Sequence, residues 1–405
     1  MKLQRHRFRL MALVLLVLLV FLGASLILRS LQPASVLPSM PDAAALDSLK
    51  ETVIPGTIVD RNGTLLAATV DGKRKYADPA ERRASLVHLV GTDTDLVSGG
   101  AETLYAVYLY GLRPNFSEAL SRLMKKQERH GYDLALTVSA ELCEEILRAA
   151  ASHPETAGKK CCAAIVQVET GEIVALASLP TFDPEAVTED SAEALKASES
   201  RPLMNRAIEG IYPLGTLSEI ISGELYNSLP VSFRDLQIAE SEWPSAVPLR
   251  LCLAACAAAK DGLVPDLRLL RTVKTNAGGV VLPWSDPSSS RACSQEAARS
   301  LKDAMKASVA TGSASLLYDP TLDIHALCGT AEEAAPETQQ VLPDPLPADP
   351  IPRYEWCLAF NGQKDLPYAI CVLMEDTTAA DPGSNPAALV AKDLFTWLKS
   401  NPQLN

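Results

Sequence analysis

Aromatic residues are scarce in this 405-residue chain, at 5%, and histidine occurs only five times. A core with so few large rings has to be filled by small and aliphatic side chains, and the 47% hydrophobic content, rich in alanine, supplies them. The scattered histidines and cysteines show no metal-ligand spacing, so neither a metal nor a cofactor is expected. A basic surplus is missing as well. The formal charge is −12, and Lys2, Arg5, Arg7, Arg9 and Arg29 all fall in the first 29 residues, where no acid occurs. The remainder holds 32 basic and 49 acidic residues. A body of that sign has no basic stripe with which to neutralise phosphates, which excludes nucleic acid as a partner.

What the chain does have begins with a long apolar run. Leu10 to Leu28 carries no charge over nineteen residues. At about 1.5 Å per residue this matches the roughly 30 Å hydrocarbon core of a bilayer. The basic residues ahead of it point to a cytoplasmic N-terminus, with everything after Arg29 translocated. A cleaved signal peptide is the competing reading, with small residues at Gly23-Ala24-Ser25, but the run continues to Leu28, which favours an uncleaved single-pass anchor in the cell membrane. Residues 32–50 are rich in Pro, Ser, Ala and Asp and read as a tether. The nine cysteines form no orderly framework: Cys161 and Cys162 are adjacent, and Cys252 and Cys256 lie one helical turn apart. They are expected to serve as small core residues.

Along the rest of the chain, Pro55 to Thr69 reads as two short strands turning at Asn62-Gly63. Leu134 to Val138 is a strand, and Ser139 caps a helix reaching Ala151. Cys161 to Ser178 is an apolar hairpin turning at Thr170-Gly171. A helix is expected over residues 216–228, an alanine-rich one from Pro248 to Lys260, and another from Ser294 to about Ala310. Arg271 to Leu282 reads as a hairpin. Strands follow at Asp323–Glu332, Trp356–Asn361 and Tyr368–Glu375, with an acidic, proline-rich loop after the first of them. A last helix is capped by Asn385, with Pro386 at its first position. The order implies an α+β domain: an antiparallel sheet of about five strands flanked by helices on both faces.

Five stretches carry a resemblance. Pro55-Gly-Thr-Ile-Val-Asp-Arg-Asn-Gly-Thr-Leu-Leu-Ala67 resembles the post-anchor motif of the class B penicillin-binding proteins. Ala163 to Pro184 is similar to the stretch that opens their transpeptidase sheet. Asn205-Arg-Ala207 with Tyr212-Pro213 resembles the approach to their catalytic serine, and Val247-Pro-Leu-Arg250 their Thr-Pro-Leu-Gln helix. Cys328-Gly-Thr-Ala-Glu332 resembles the end of their Lys-Thr-Gly-Thr-Ala-Glu strand. The resemblance implies a transpeptidase-like domain over 131–405 with a trimmed helical lobe. It also implies a pedestal of the dimerisation type over 51–130, a linker over 32–50, and a cytoplasmic tail and anchor over 1–31.

The residues that perform the family's chemistry are changed. Its Ser-x-x-Lys pair sets a lysine amine beside a serine hydroxyl. Here Thr216 stands at the serine position and Glu219 at the lysine position. A carboxylate with an ordinary pKa near 4.3 is a poor base for an alcohol. No Ser-x-Asn occurs between residues 220 and 246. In the third motif Leu327 replaces the lysine and Cys328 the threonine, while Gly329 and Thr330 are kept. Changing two lysines to Glu and Leu makes such a cleft about three charges more negative, against the carboxylate its substrates present. The resemblance therefore implies a non-catalytic scaffold or regulator of peptidoglycan synthesis or cell division. Its expected partners are membrane-embedded cell-wall synthesis or division proteins, with peptidoglycan and a second copy of the chain as further candidates. The alternative is an active D,D-transpeptidase or carboxypeptidase with an altered nucleophile, Thr216 or Cys328.

Overall fold

A computed structural model describes residues 50, 52–94, 96–97, 99–112, 129–233, 236–332, 353–377 and 385–402. The apolar run 10–28, the tether up to residue 49 and the acidic loop 333–352 lie outside the described residues. No helix among the described residues is long and apolar enough to cross a membrane.

The hairpin at Asn62-Gly63 forms where its turn chemistry requires it. Strand β1 (Ile58–Val59) pairs antiparallel with β2 (Leu65–Val70), and β3 (Lys73–Tyr76) continues the meander before helix α1 (Ala80–Val90). Asp60 explains the turn. One carboxylate oxygen accepts from the amides of Asn62 and Thr64 at 2.8 Å each, and the other from Ala140 at 3.2 Å. One buried acid thus closes the turn and ties it to the start of α2 (Ala140–Ser152), which follows β4 (Tyr132–Leu136). The first turn of α2 is also satisfied by Ser139, whose hydroxyl accepts from the Leu142 amide.

Beyond α2 come the hairpin strands β5 (Cys161–Gln167) and β6 (Ile173–Leu179), then helix α3 (Pro248–Ala259). Next are β7 (Leu270–Thr275), β8 (Val280–Leu282) and α4 (Gln295–Thr311), and last β9 (Ile324–Glu332), β10 (Arg353–Asn361), β11 (Tyr368–Met374) and α5 (Pro386–Ser400). The central sheet runs β9-β10-β11-β5-β6 and is antiparallel throughout. A six-stranded sheet, β8-β7-β4-β1-β2-β3, joins residues 58–76 to 132–136 and 270–282, with β1 and β4 parallel. Arg61 links the two sheets through Glu172, in the turn between β5 and β6, at 3.1 Å.

Alternation along the strands assigns helices to the two faces of the central sheet. His325 of β9 reaches the Lys302 carbonyl on α4 and stacks on its register partner Phe360, so that face packs against α4. Glu355 of β10, of opposite parity to Phe360, accepts from Asn385 at the start of α5 at 2.9 Å. Helix α3 lies against α4 and the sheet, and α2 against α5. All of Pro248–Ala258 is buried. Its alanines and cysteines let the helix lie close to β5, β10 and β11, and each of its three buried leucines contributes about 1.5–3 kcal/mol. Eight of the nine cysteines are buried and Cys293 is partly so, as free thiols.

One expected element is different. The helix over 216–228 is broken into a 3₁₀ turn, Gly215–Glu219, and a separate helix, Gly223–Ser228. Ser222 is the reason: it leaves helical geometry and accepts from the Leu225 amide at 3.2 Å, acting as an N-cap that restarts the helix.

Candidate functional site

The residues singled out at the first and third motifs come together along the free edge of β9. Tyr212–Pro213 pairs with Ser245–Ala246, and the Pro213 carbonyl accepts from the Trp356 indole at 2.9 Å, which anchors the approach. The chain then turns through Gly215, at φ +52°, where a Cβ would stand 2.0 Å from the Thr330 carbonyl oxygen. Only glycine tolerates both the left-handed backbone and that approach. On the facing strand a Cβ at Gly329 would lie 2.7 Å from both Leu217 Cγ and Thr216 Oγ1. The 3₁₀ turn therefore rests directly on β9, and Leu217 fills the space over Gly329.

Within this contact the Thr330 amide donates to Thr216 Oγ1 at 3.0 Å. A backbone N–H on this strand edge, the kind of group that can otherwise meet developing negative charge, is satisfied by the Thr216 side chain. Ser218 turns back and donates to the Gly215 carbonyl at 2.6 Å. Three residues per 3₁₀ turn put Glu219 on the same edge as Thr216, exposed to solvent. Its carboxylate makes no hydrogen bond or ion pair with another described residue. Leu327 is fully buried, on the same face as Gly329 and paired with Leu358.

Cys328 lies on the opposite face of β9 from Leu327, opposite Cys357 on β10. The hydrogen bond to the Cys357 thiol, burial and the nearby Glu355 carboxylate push the Cys328 thiol well above its ordinary value. His325, three residues away, faces α4 and does not meet it. An activated thiolate needs a neighbouring cation or imidazolium, and the surroundings here act in the other direction.

After the 3₁₀ turn, the described residues of 220–246 form a short segment fastened to α3. Arg250 is buried in that helix and stacks on Tyr226, 4.3 Å from the ring centroid. Its guanidinium donates to the carbonyls of Leu229 (2.9 Å) and Ser241 (3.3 Å). Tyr226 in turn shares a 2.6 Å hydrogen bond with Ser241 and accepts from the Val247 amide at 3.0 Å. This segment occupies the interval in which the family's second motif was sought.

No family model matches the chain. Among curated proteins it is 30% identical over 147 residues to the peptidoglycan D,D-transpeptidase MrdA of Acinetobacter baumannii, a stretch covering 32% of this chain and 21% of that protein. With MrdA of Escherichia coli K12 it shares 29% identity over 103 residues, 24% of this chain and 15% of the relative. The match thus spans about a fifth or less of the length of these relatives. Solved structures cover far more. Penicillin-binding protein A of Mycobacterium tuberculosis, as its imipenem acyl-enzyme, superposes with TM-score 0.70 at 18% identity, over 86% of this chain and 99% of that one. The D,D-transpeptidase domain from Eggerthella lenta gives 0.64 at 18% identity, over 86% and 99%. This is the penicillin-binding-protein transpeptidase fold.

The resemblance carried by the five sequence stretches is thereby borne out. Two features of this version of the penicillin-binding-protein fold escaped sequence reasoning. One is the role of Asp60 and Arg61 in fastening the N-terminal hairpin to α2 and to the β5–β6 turn. The other is a buried cluster behind the site. Arg206 donates to Glu375 at 2.7 Å and to the carbonyls of Ser200 and Arg201, while the Tyr212 hydroxyl donates to the same Glu375 oxygen at 2.7 Å. Arg206 lies in the Asn205-Arg-Ala207 stretch, so the signal was present, but its partner is 169 residues away.

Proposed function

We propose that this chain is a non-catalytic homologue of the penicillin-binding proteins, serving as a scaffold or regulator in peptidoglycan synthesis or cell division. In this reading Leu10 to Leu28 anchors it in the cell membrane with a cytoplasmic N-terminus. Residues 51–130 act as a pedestal, and the transpeptidase-like body faces partners among membrane-embedded cell-wall proteins. The observation that carries the reading is the hydrogen bond from the Thr330 amide to Thr216 Oγ1. A nucleophile needs a base within hydrogen-bond reach and a free donor for the oxyanion. Thr216 instead accepts from a strand-edge donor, with Glu219 three residues on and Leu327 in the lysine position. Loss of both lysine positions also weakens recognition of a substrate carboxylate.

The test is prolonged incubation of the full-length protein in detergent with a reporter β-lactam, read by intact mass. An unmodified mass is the expected result. A covalent adduct mapping to Thr216 or Cys328 overturns the reading and makes the protein an enzyme with an altered nucleophile. Capture of cell-wall synthesis proteins from solubilised membranes by the full-length chain supports the scaffold role.

A further inference from the structure

The two cysteines on β9 and β10 occupy a position that the proposed function does not use. Thr330 sends its amide outward to Thr216, and the Cys328 carbonyl accepts outward from the Ser313 hydroxyl at 2.8 Å. On an edge strand, alternate residues direct their backbone groups away from the sheet, so Cys328 does not exchange backbone bonds with its partner. Cys328 and Cys357 therefore form a non-hydrogen-bonded pair, the kind in which facing Cα atoms approach to about 4.5 Å. That lies at the short end of the roughly 4.4–6.8 Å range a disulfide can span. As register partners, the two side chains project to the same face of the sheet.

No other two cysteines among the described residues share a register position. Cys162 faces Leu373 and Cys371 faces Ala164, which makes them diagonal neighbours. Such neighbours lie about 7–8 Å apart, beyond reach without backbone movement. Cys161 and Cys162 are successive on one strand and point to opposite faces.

We propose that Cys328 and Cys357 are a site of reversible oxidation, closing to a cross-strand disulfide in the presence of a small-molecule or protein disulfide. The Cys328 thiolate, in the edge-strand residue that is the less completely buried of the two, attacks one sulfur of the oxidant and releases one thiol. The fully buried Cys357 thiolate then attacks the Cys328 sulfur of the mixed disulfide and releases the second. Two thiols lose two protons and two electrons, and the oxidant's disulfide gains them as two thiols. Because the surroundings raise the Cys328 thiol, the reaction accelerates as pH rises through the alkaline range.

The experiment uses the full-length protein, purified under reductant in detergent and then incubated with oxidised glutathione at mildly alkaline pH. The intact mass should fall by about 2 Da. Alkylation after unfolding should find two of the nine thiols lost, and digestion should release one peptide pair joined through Cys328 and Cys357. The oxidised form should melt a few degrees higher than the reduced one. In Cys357→Ser the resolving thiol is gone, and Cys328 should accumulate a glutathione adduct, a gain in mass instead of a loss. Cys371→Ala should still form the bridge. Nine free thiols after long exposure, a stable glutathione adduct on the unsubstituted protein, or a bridge between any other two cysteines each overturn the proposal, whether or not the serine variant folds.

Discussion

Replacing Arg206 by methionine removes a cation that is 2% exposed at its side chain and holds three partners at once. It loses one charge-assisted hydrogen bond to Glu375 and two to backbone carbonyls. At about 1.5–3 kcal/mol for the first and about 1 kcal/mol for each of the others, the loss is roughly 4 kcal/mol. That agrees with the approximately 3–5 kcal/mol typical of removing one member of a buried ion pair. Glu375 would keep the Tyr212 hydroxyl and a Lys160 ammonium 3.9 Å away, which is too long a contact to replace the guanidinium. For a chain of 405 residues the melting midpoint should fall by about 5 °C, read by scanning calorimetry on the full-length protein. A second substitution, Glu375→Met, should return part of the loss, because it removes the stranded acid. A fall below about 1 kcal/mol for the single variant, or a double variant that is the sum of both losses, would refute the assignment of Arg206 as the lock behind the site.

Gly329→Ala should destabilise the fold by about 1–3 kcal/mol, seen as a lower urea midpoint, since its Cβ would meet Leu217 and Thr216 at 2.7 Å. His88 donates through Nε2 to the Pro202 carbonyl, and burial lowers its pKa to about 4. The unfolded chain takes up this proton below about pH 6.5, whereas the fold resists until about pH 4, so stability is lost as pH falls through that window. The loss should reach about 2 kcal/mol near pH 5, and urea titrations of His88→Gln across the window should lack it. Arg250→Leu should loosen the segment over 220–246, giving new cleavages there under limited proteolysis while the central sheet stays protected.

The central sheet was legible because its information is local. The short continuous apolar runs, the Thr170-Gly171 turn and the caps at Ser139, Ser294 and Asn385 each follow from a few neighbouring residues. The break at Ser222 was not legible, since Ser222-Gly223 within an apolar stretch reads equally well as helix interior until the contact with β9 fixes the preceding turn. The identities at the motif positions, Thr216, Glu219, Leu327 and Cys328, were on the page from the start. Their relations were not: that Thr330 donates to Thr216 depends on strands and turns 114 residues apart. The same holds for Arg206 with Glu375 and for Cys328 with Cys357, where only the register of distant strands makes partners of the residues.

The outer side of β9 is a row of peptide groups at the border of a sheet, the place where one folded molecule can continue into another. Side chains fill that row at two points, Ser313 on the Cys328 carbonyl and Thr216 on the Thr330 amide. A second chain approaching as a strand would have to displace both before it found a free donor or acceptor. With both points filled, that sheet border resists stacking, so neighbouring copies of the protein can remain separate.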